Sequence, residues 1–140
     1  MINETDLEAF GYYDENGQYE RDFEEGSRDV KTPLDMVKEF RTTMSQERSD
    51  KRSFELMREE WEEFIGAYSA ENELKELADL VYVSFGYAES LGWDLDEALR
   101  RVHKNNMERC VWPDGIVRKN SSGKVLKNPE AAQVELGDLV

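Results

Sequence analysis

The sequence predicts an all-α protein with a four-helix-bundle core. Three observations predict it: apolar residues recur at helical spacing, capping residues punctuate the chain, and the connections between helical stretches are short and polar. At 140 residues the chain suits one domain with a single hydrophobic core.

The elements follow in order. Residues 1–31 form an acidic N-terminal extension without helical period. Asn16-Gly17 between Tyr13 and Tyr19 suits a small hairpin, and a poorly ordered extension suits the composition as well. The helical core spans 32–110. Its first helix opens at Thr32, with Pro33 at the first helical position and Asp35 completing a capping-box pattern, and runs to about Met44. "SQERSDKRS", 45–53, reads as a loop. The second helix carries an apolar stripe at Phe54, Met57, Trp61, Phe64, Ile65 and Tyr68. Ser69 or Asn72 is available to cap the third helix, about 72–91, which Gly92 stops. Asp94, with Glu97 three residues on, starts the fourth. Residues 111–140 are a loop-rich tail, basic as far as Lys127.

Charge narrows the function classes. The formal net charge is −14, which argues against nucleic acid or an anionic membrane as partner. No apolar run has transmembrane length, and the first residues lack a secretory pattern, so the expected location is cytoplasmic. A lone cysteine, Cys110, leaves no intrachain disulfide and no multi-cysteine metal site. The charge is unevenly spread. Residues 100–127 hold Arg100, Arg101, Lys104, Arg109, Arg118, Lys119, Lys124 and Lys127 against Glu108 and Asp114. Cations at the end of a helix complement its dipole. Those beyond Pro113 have no such reason to be there, and they suggest a bound anion.

The carboxylates carry the chemistry. "REEWEEF", 58–64, packs Glu59, Glu60, Glu62 and Glu63 into five positions, where like charges repel. Either this is a solvated acidic face or a cation offsets the repulsion. "LADLVYVSFGYA", 77–88, contains one charged residue, Asp79, in a run apolar nearly all round. Such a helix is buried, and a buried carboxylate must be paired or bound to metal, unless Asp79 sits at a rim. Glu60 and Glu63 share a face, as do Glu76 and Asp79. With a turn near residue 70, Glu63 and Glu76 lie about 10 and 9 Å from it, at ~1.5 Å rise per residue. Glu60 and Asp79 lie about 15 and 13.5 Å away on the same measure. In an antiparallel hairpin the four carboxylates converge, a ready site for Mg²⁺ or Mn²⁺. A di-iron centre normally uses Glu-x-x-His pairs, and the only histidine, His103, has no Glu three residues before it.

Glu59-Glu60-x-x-Glu63 followed by Glu76-x-x-Asp79 resembles the EExxE–ExxD motif of the MazG-like, all-α nucleoside triphosphate pyrophosphohydrolases, a superfamily that includes phosphoribosyl-ATP pyrophosphohydrolase. "ELADLVYV", "LGWDLDEALRRVHKNNMERC" and "SGKVLKNP" resemble further stretches of its small bacterial and phage members, so that the likeness covers roughly 33–129. Ser122, Asn128, Asn105 and Arg109 depart from the pattern, which has Asp, Gly, Ser and Lys there. The resemblance implies that Glu60, Glu63, Glu76 and Asp79 are metal ligands, and that Glu59 holds a further ion or helps position the attacking water. It implies two or three Mg²⁺ or Mn²⁺ ions per site. It also implies that Asn106 and Arg109 face substrate, and that Lys124 and Lys127 approach phosphate. Lys104 joins this phosphate-gripping set by its place in the basic stretch. The implied reaction cleaves the α–β anhydride of a (d)NTP, dGTP or dUTP first, to (d)NMP and pyrophosphate, in a homodimer or homotetramer. The alternative is an acidic binding module without enzymatic activity, a nucleic-acid mimic or an inhibitor of a basic partner. That alternative uses the net charge but leaves the paired spacing unexplained.

Overall fold

A computed structural model describes residues 30–140 and, before them, only Tyr12–Tyr13 and Tyr19–Glu20. The chain divides at Lys31 into two units. In the first, β1 (Tyr12–Tyr13) pairs antiparallel with β2 (Tyr19–Glu20), Tyr13 opposite Tyr19, in the register a hairpin requires. The Asn16-Gly17 turn and the proposed disorder of the extension lie outside the described residues.

The second unit holds four α-helices among the described residues, and the fold is all-α, as predicted. Helix α1, Pro33–Thr43, opens on the predicted capping box: Asp35 N donates to Thr32 Oγ1 and Thr32 N donates to Asp35 Oδ2, both at 3.2 Å. Helix α2, Asp50–Ile65, begins earlier than predicted. Ser49 caps it by accepting from Arg52 N at 3.2 Å, so Asp50–Ser53 belong to the helix, not the loop. Helix α3 runs from Ala70 to Leu91, with Ser69, not Asn72, as its cap. Asn72 N donates to Ser69 Oγ at 3.1 Å. Gly92 ends α3 at φ +76°, a left-handed conformation that favours glycine. Helix α4, Leu95–Cys110, is capped by Asp94, which accepts from Glu97 N at 3.0 Å. No helix among the described residues is long and apolar enough to cross a membrane.

Helices α2 and α3 pack as a hairpin and α1 lies against α3, while α4 touches α1 and α3 more lightly. The core therefore centres on α3, where Phe85 and Ala88 are buried, with Val37 of α1. Burial of Phe85 alone contributes about 1.5–3 kcal/mol. Two expectations are corrected here. Tyr68 falls beyond the end of α2 and is exposed, outside the stripe assigned to it. The run 77–88 is not covered all round: Leu77, Val81 and Tyr82 are exposed because, within one chain, only part of the α3 circumference has neighbours.

The tail returns along α4. Arg101 grips Asp138 with Nη1 and Nη2 at 2.6 and 2.8 Å, Asn105 Nδ2 donates to the Ala132 carbonyl at 2.9 Å, and Asn128 N donates to the Arg109 carbonyl at 2.8 Å. Between them 119–125 makes a tight turn, in which Asn120 Oδ1 accepts from Ser122 N and Lys124 N, both at 3.0 Å.

Candidate metal centre

The α2–α3 hairpin places carboxylates of Glu60, Glu63 and Glu76 with one oxygen each within 4.8 Å of one another. Glu60 and Glu63 are one turn apart on α2, and Glu76 meets them from α3, the register that the distance from the turn predicts. Glu76 is buried and accepts from Asn72 Nδ2 at 2.8 Å, which fixes its carboxylate against the hairpin. Glu60 Oε2 is buried without a hydrogen-bond partner. Burial, then the charges of Glu63 and Asp79, raise the Glu60 pKa, and Lys75 only partly opposes them. An orphaned, charge-crowded carboxylate oxygen in an all-oxygen donor set fits a hard divalent cation.

Asp79 stands apart from the three. Its side chain is 41% exposed and its Oδ2 pairs with Lys75 Nζ at 2.9 Å, so it combines the rim position and the ion pair among the readings open to it from sequence. The same ammonium lies 3.2 Å from both Glu76 oxygens. Hydrogen bonds to Asp79 and Glu76 hold Lys75 firmly protonated. The sequence signal for Lys75 is its place four residues before Asp79, the spacing of a helical ion pair. Glu59 points elsewhere: with Glu55, Arg58 and Glu62 it lines a shallow depression on the outer side of α2.

The basic residues are distributed along α4 and the tail. Lys104 is 3.9 Å from Glu108, and Arg109 Nη1 donates to Gln133 Oε1 at 3.0 Å while its buried Nε lacks a partner. Asn106 is half-buried on α4. Arg118 is paired with Asp114 at 2.8 Å and lies over the Trp112 ring, 4.0 Å from its centroid. Lys124 and Lys127 are exposed and make no ion pair among the described residues. The structure thus gathers Glu60, Glu63 and Glu76, with Asp79 one turn along. It does not bring Glu59, Lys104, Asn106, Arg109, Lys124 or Lys127 into hydrogen-bond or ion-pair contact with them.

Residues 31–106 match the family described as phosphoribosyl-ATP pyrophosphohydrolase. The chain belongs to this family. It is a pyrophosphohydrolase of the MazG-like all-α superfamily, which acts on small nucleotide substrates. The match takes in the whole of α1, α2 and α3 with all five motif carboxylates. It stops short of Arg109, Lys124 and Lys127. No curated protein matches the chain.

Proposed function

We propose that this pyrophosphohydrolase is a Mg²⁺-dependent enzyme that cleaves the α–β anhydride of a nucleoside triphosphate, releasing the monophosphate and pyrophosphate. A deoxynucleotide is the favoured substrate, with dGTP or dUTP first. The observation that carries this reading is the orphaned Glu60 oxygen beside Glu63 and Glu76. Glu60, Glu63, Glu76 and Asp79 would hold two or three ions, Mg²⁺ or Mn²⁺. Bound there, divalent cations neutralise phosphate charge and acidify water.

The protein groups have separable tasks. The acidic set keeps its charge inside the α2–α3 hairpin, where a triphosphate alone would be repelled. Glu59 lines the outer side of α2, so a further ion or the attacking water would engage it only after its side chain swings towards Glu60. Water attacks the α-phosphorus in line and pyrophosphate leaves. Lys104, Arg109, Lys124 and Lys127 grip the departing β- and γ-phosphates, and Asn106 orients the substrate. Arg109 can do so bidentately if it releases Gln133. Catalysis by such a set is mostly positioning and charge stabilisation.

The exposed stripe Leu74, Leu77 and Val81 on α3, with Trp61 and Ile65 on α2, supports a homodimer or homotetramer. Incubation with each common NTP and dNTP plus MgCl₂, followed by ion-exchange separation, tests the reaction. Monophosphate and pyrophosphate are expected; nucleoside diphosphate and free phosphate would overturn the proposal.

Lys75 gives a second expectation. Its ammonium occupies Glu76 and Asp79 oxygens that an ion must take over. Lys75→Met is expected to tighten Mg²⁺ binding about two- to fivefold, the worth of an exposed ion pair. Calorimetric titration of the metal would show it, and unchanged or weaker binding would refute it.

A further inference from the structure

A second cleft lies beside the acid cluster. Val37 and Phe40 of α1, Leu56 of α2, and Tyr82 and Val83 of α3 form its apolar walls, and Arg41, Arg48, Arg52 and Glu89 its polar end. Leu56 is one turn from Glu60, and Tyr82 one turn from Asp79. The near wall of the cleft therefore lies about 5.4 Å along the hairpin from Glu60 and Asp79, on the side away from the 66–69 turn, and its polar end at Glu89 lies about 15 Å from Asp79. Phe40 and Tyr82 meet edge-to-face with centroids 6.2 Å apart, and both remain partly exposed. At Gly86, also in the lining, a side chain would enter open space.

The polar end is built, not incidental. Glu89 is buried and accepts from Arg41 Nε at 3.0 and 2.8 Å. It also accepts from Arg48 Nε and Nη2 at 3.3 and 3.2 Å. Those bonds use one edge of the Arg48 guanidinium. The other edge, Nη1 with the second Nη2 hydrogen, makes no hydrogen bond among the described residues, and the side chain is 51% exposed. A guanidinium edge of this kind presents two parallel donors, which match two adjacent acceptors on a planar partner. Guanine offers that pair at O6 and N7. A free cytosine offers one as well, at N3 and O2, but its single ring covers less of the Phe40, Leu56 and Tyr82 walls, and adenine and uracil have no two acceptors side by side.

We infer that Arg48, held in place by Glu89, reads the O6 and N7 edge of a guanine base seated between Phe40, Leu56 and Tyr82. This rests on the proposed triphosphate site and selects guanine nucleotides among its substrates.

The test is a calorimetric titration of the full chain, with a chelator and no added metal, against dGMP, dAMP, dCMP, dUMP and 7-deaza-dGMP, which lacks the N7 acceptor. We expect dGMP to bind about tenfold or more tighter than the others, the discrimination a bidentate arginine gives. 7-Deaza-dGMP should lose most of that advantage. Arg48→Ala should abolish the preference while dAMP binding changes little, and Gly86→Leu should weaken every nucleotide by filling the cleft. A flat ranking, another base in first place, no binding, or a guanine preference that survives in Arg48→Ala would overturn the inference. If Arg48→Ala fails to fold, the 7-deaza comparison on the unaltered chain decides. Because no turnover is measured, failure of the hydrolytic reading leaves this result standing on its own.

Discussion

Glu60→Gln is expected to lower nucleotide hydrolysis by about 10²–10³-fold, the scale seen when one preorganised stabilising group is removed from an active site. In the absence of metal the same variant should melt at a higher temperature than the unaltered protein. The sign follows from the direction of the Glu60 pKa. Burial first, then Glu63 and Asp79, raise it above the ordinary carboxylate value, so the folded state holds its proton more tightly than the unfolded chain. Stability contributed by that proton is lost as pH rises through the raised pKa, and a neutral amide removes the loss. Added Mg²⁺ should reverse the ranking. An ion at 100 times its dissociation constant stabilises the unaltered protein by about 2.7 kcal/mol, and the variant by less. Thermal melts with chelator and with MgCl₂ read both effects. A purely solvated acidic face would show neither the gain without metal nor the loss with it.

Glu89→Ala should destabilise the fold by about 1–3 kcal/mol, the range for losing charged hydrogen bonds at a buried position. That is several degrees in melting temperature for a domain of this size. Glu89 ties α1 through Arg41, and the loop before α2 through Arg48, to the buried half of α3. Burial works to raise its pKa, but hydrogen bonds from Arg41 and then Arg48 outweigh it, and the carboxyl sits below its ordinary value. This contribution is complete above the unfolded carboxylate pKa and is lost as pH falls through the lowered folded value. Denaturant unfolding at neutral and acid pH checks the sign: the difference between Glu89→Gln and the unaltered protein should shrink as the pH falls. A difference that is constant or grows in acid would contradict the assignment.

Much of this was legible in the sequence, for reasons that can be stated residue by residue. Thr32, Asp94 and Gly92 carry backbone signals that hold whatever packs nearby, so the ends of α1, α3 and α4 were readable. The meeting of Glu60, Glu63 and Glu76 followed from counting residues on either side of a short turn, because helical rise is fixed. Position around a helix was harder to read. Asp79 was expected in a buried run, yet burial depends on neighbours that one chain supplies on only part of α3, and Lys75 offered a closer partner. The start of α2 was misplaced because Asp50–Ser53 are polar, and only the geometry of Ser49 reveals the cap. The Glu89 clamp has no local signal, because Glu89 directly follows the apolar run 77–88 as a single charged residue. Its partners Arg41 and Arg48 lie more than 40 residues away in sequence, a pairing that no local pattern encodes. The same holds for the fold of the tail onto α4, where Arg101 finds Asp138 across 37 residues.

The most direct measurement of the central claim is hydrolysis of dGTP in ¹⁸O-labelled water with MgCl₂, followed by mass spectrometry of both products. Attack at the α-phosphorus puts one ¹⁸O in the deoxynucleoside monophosphate and none in pyrophosphate, with the label absent from both in Asp79→Asn. Label in the pyrophosphate would place the attack at the β-phosphorus, and label in inorganic phosphate at the γ-phosphorus. Either would contradict a site that directs water to the α-phosphorus.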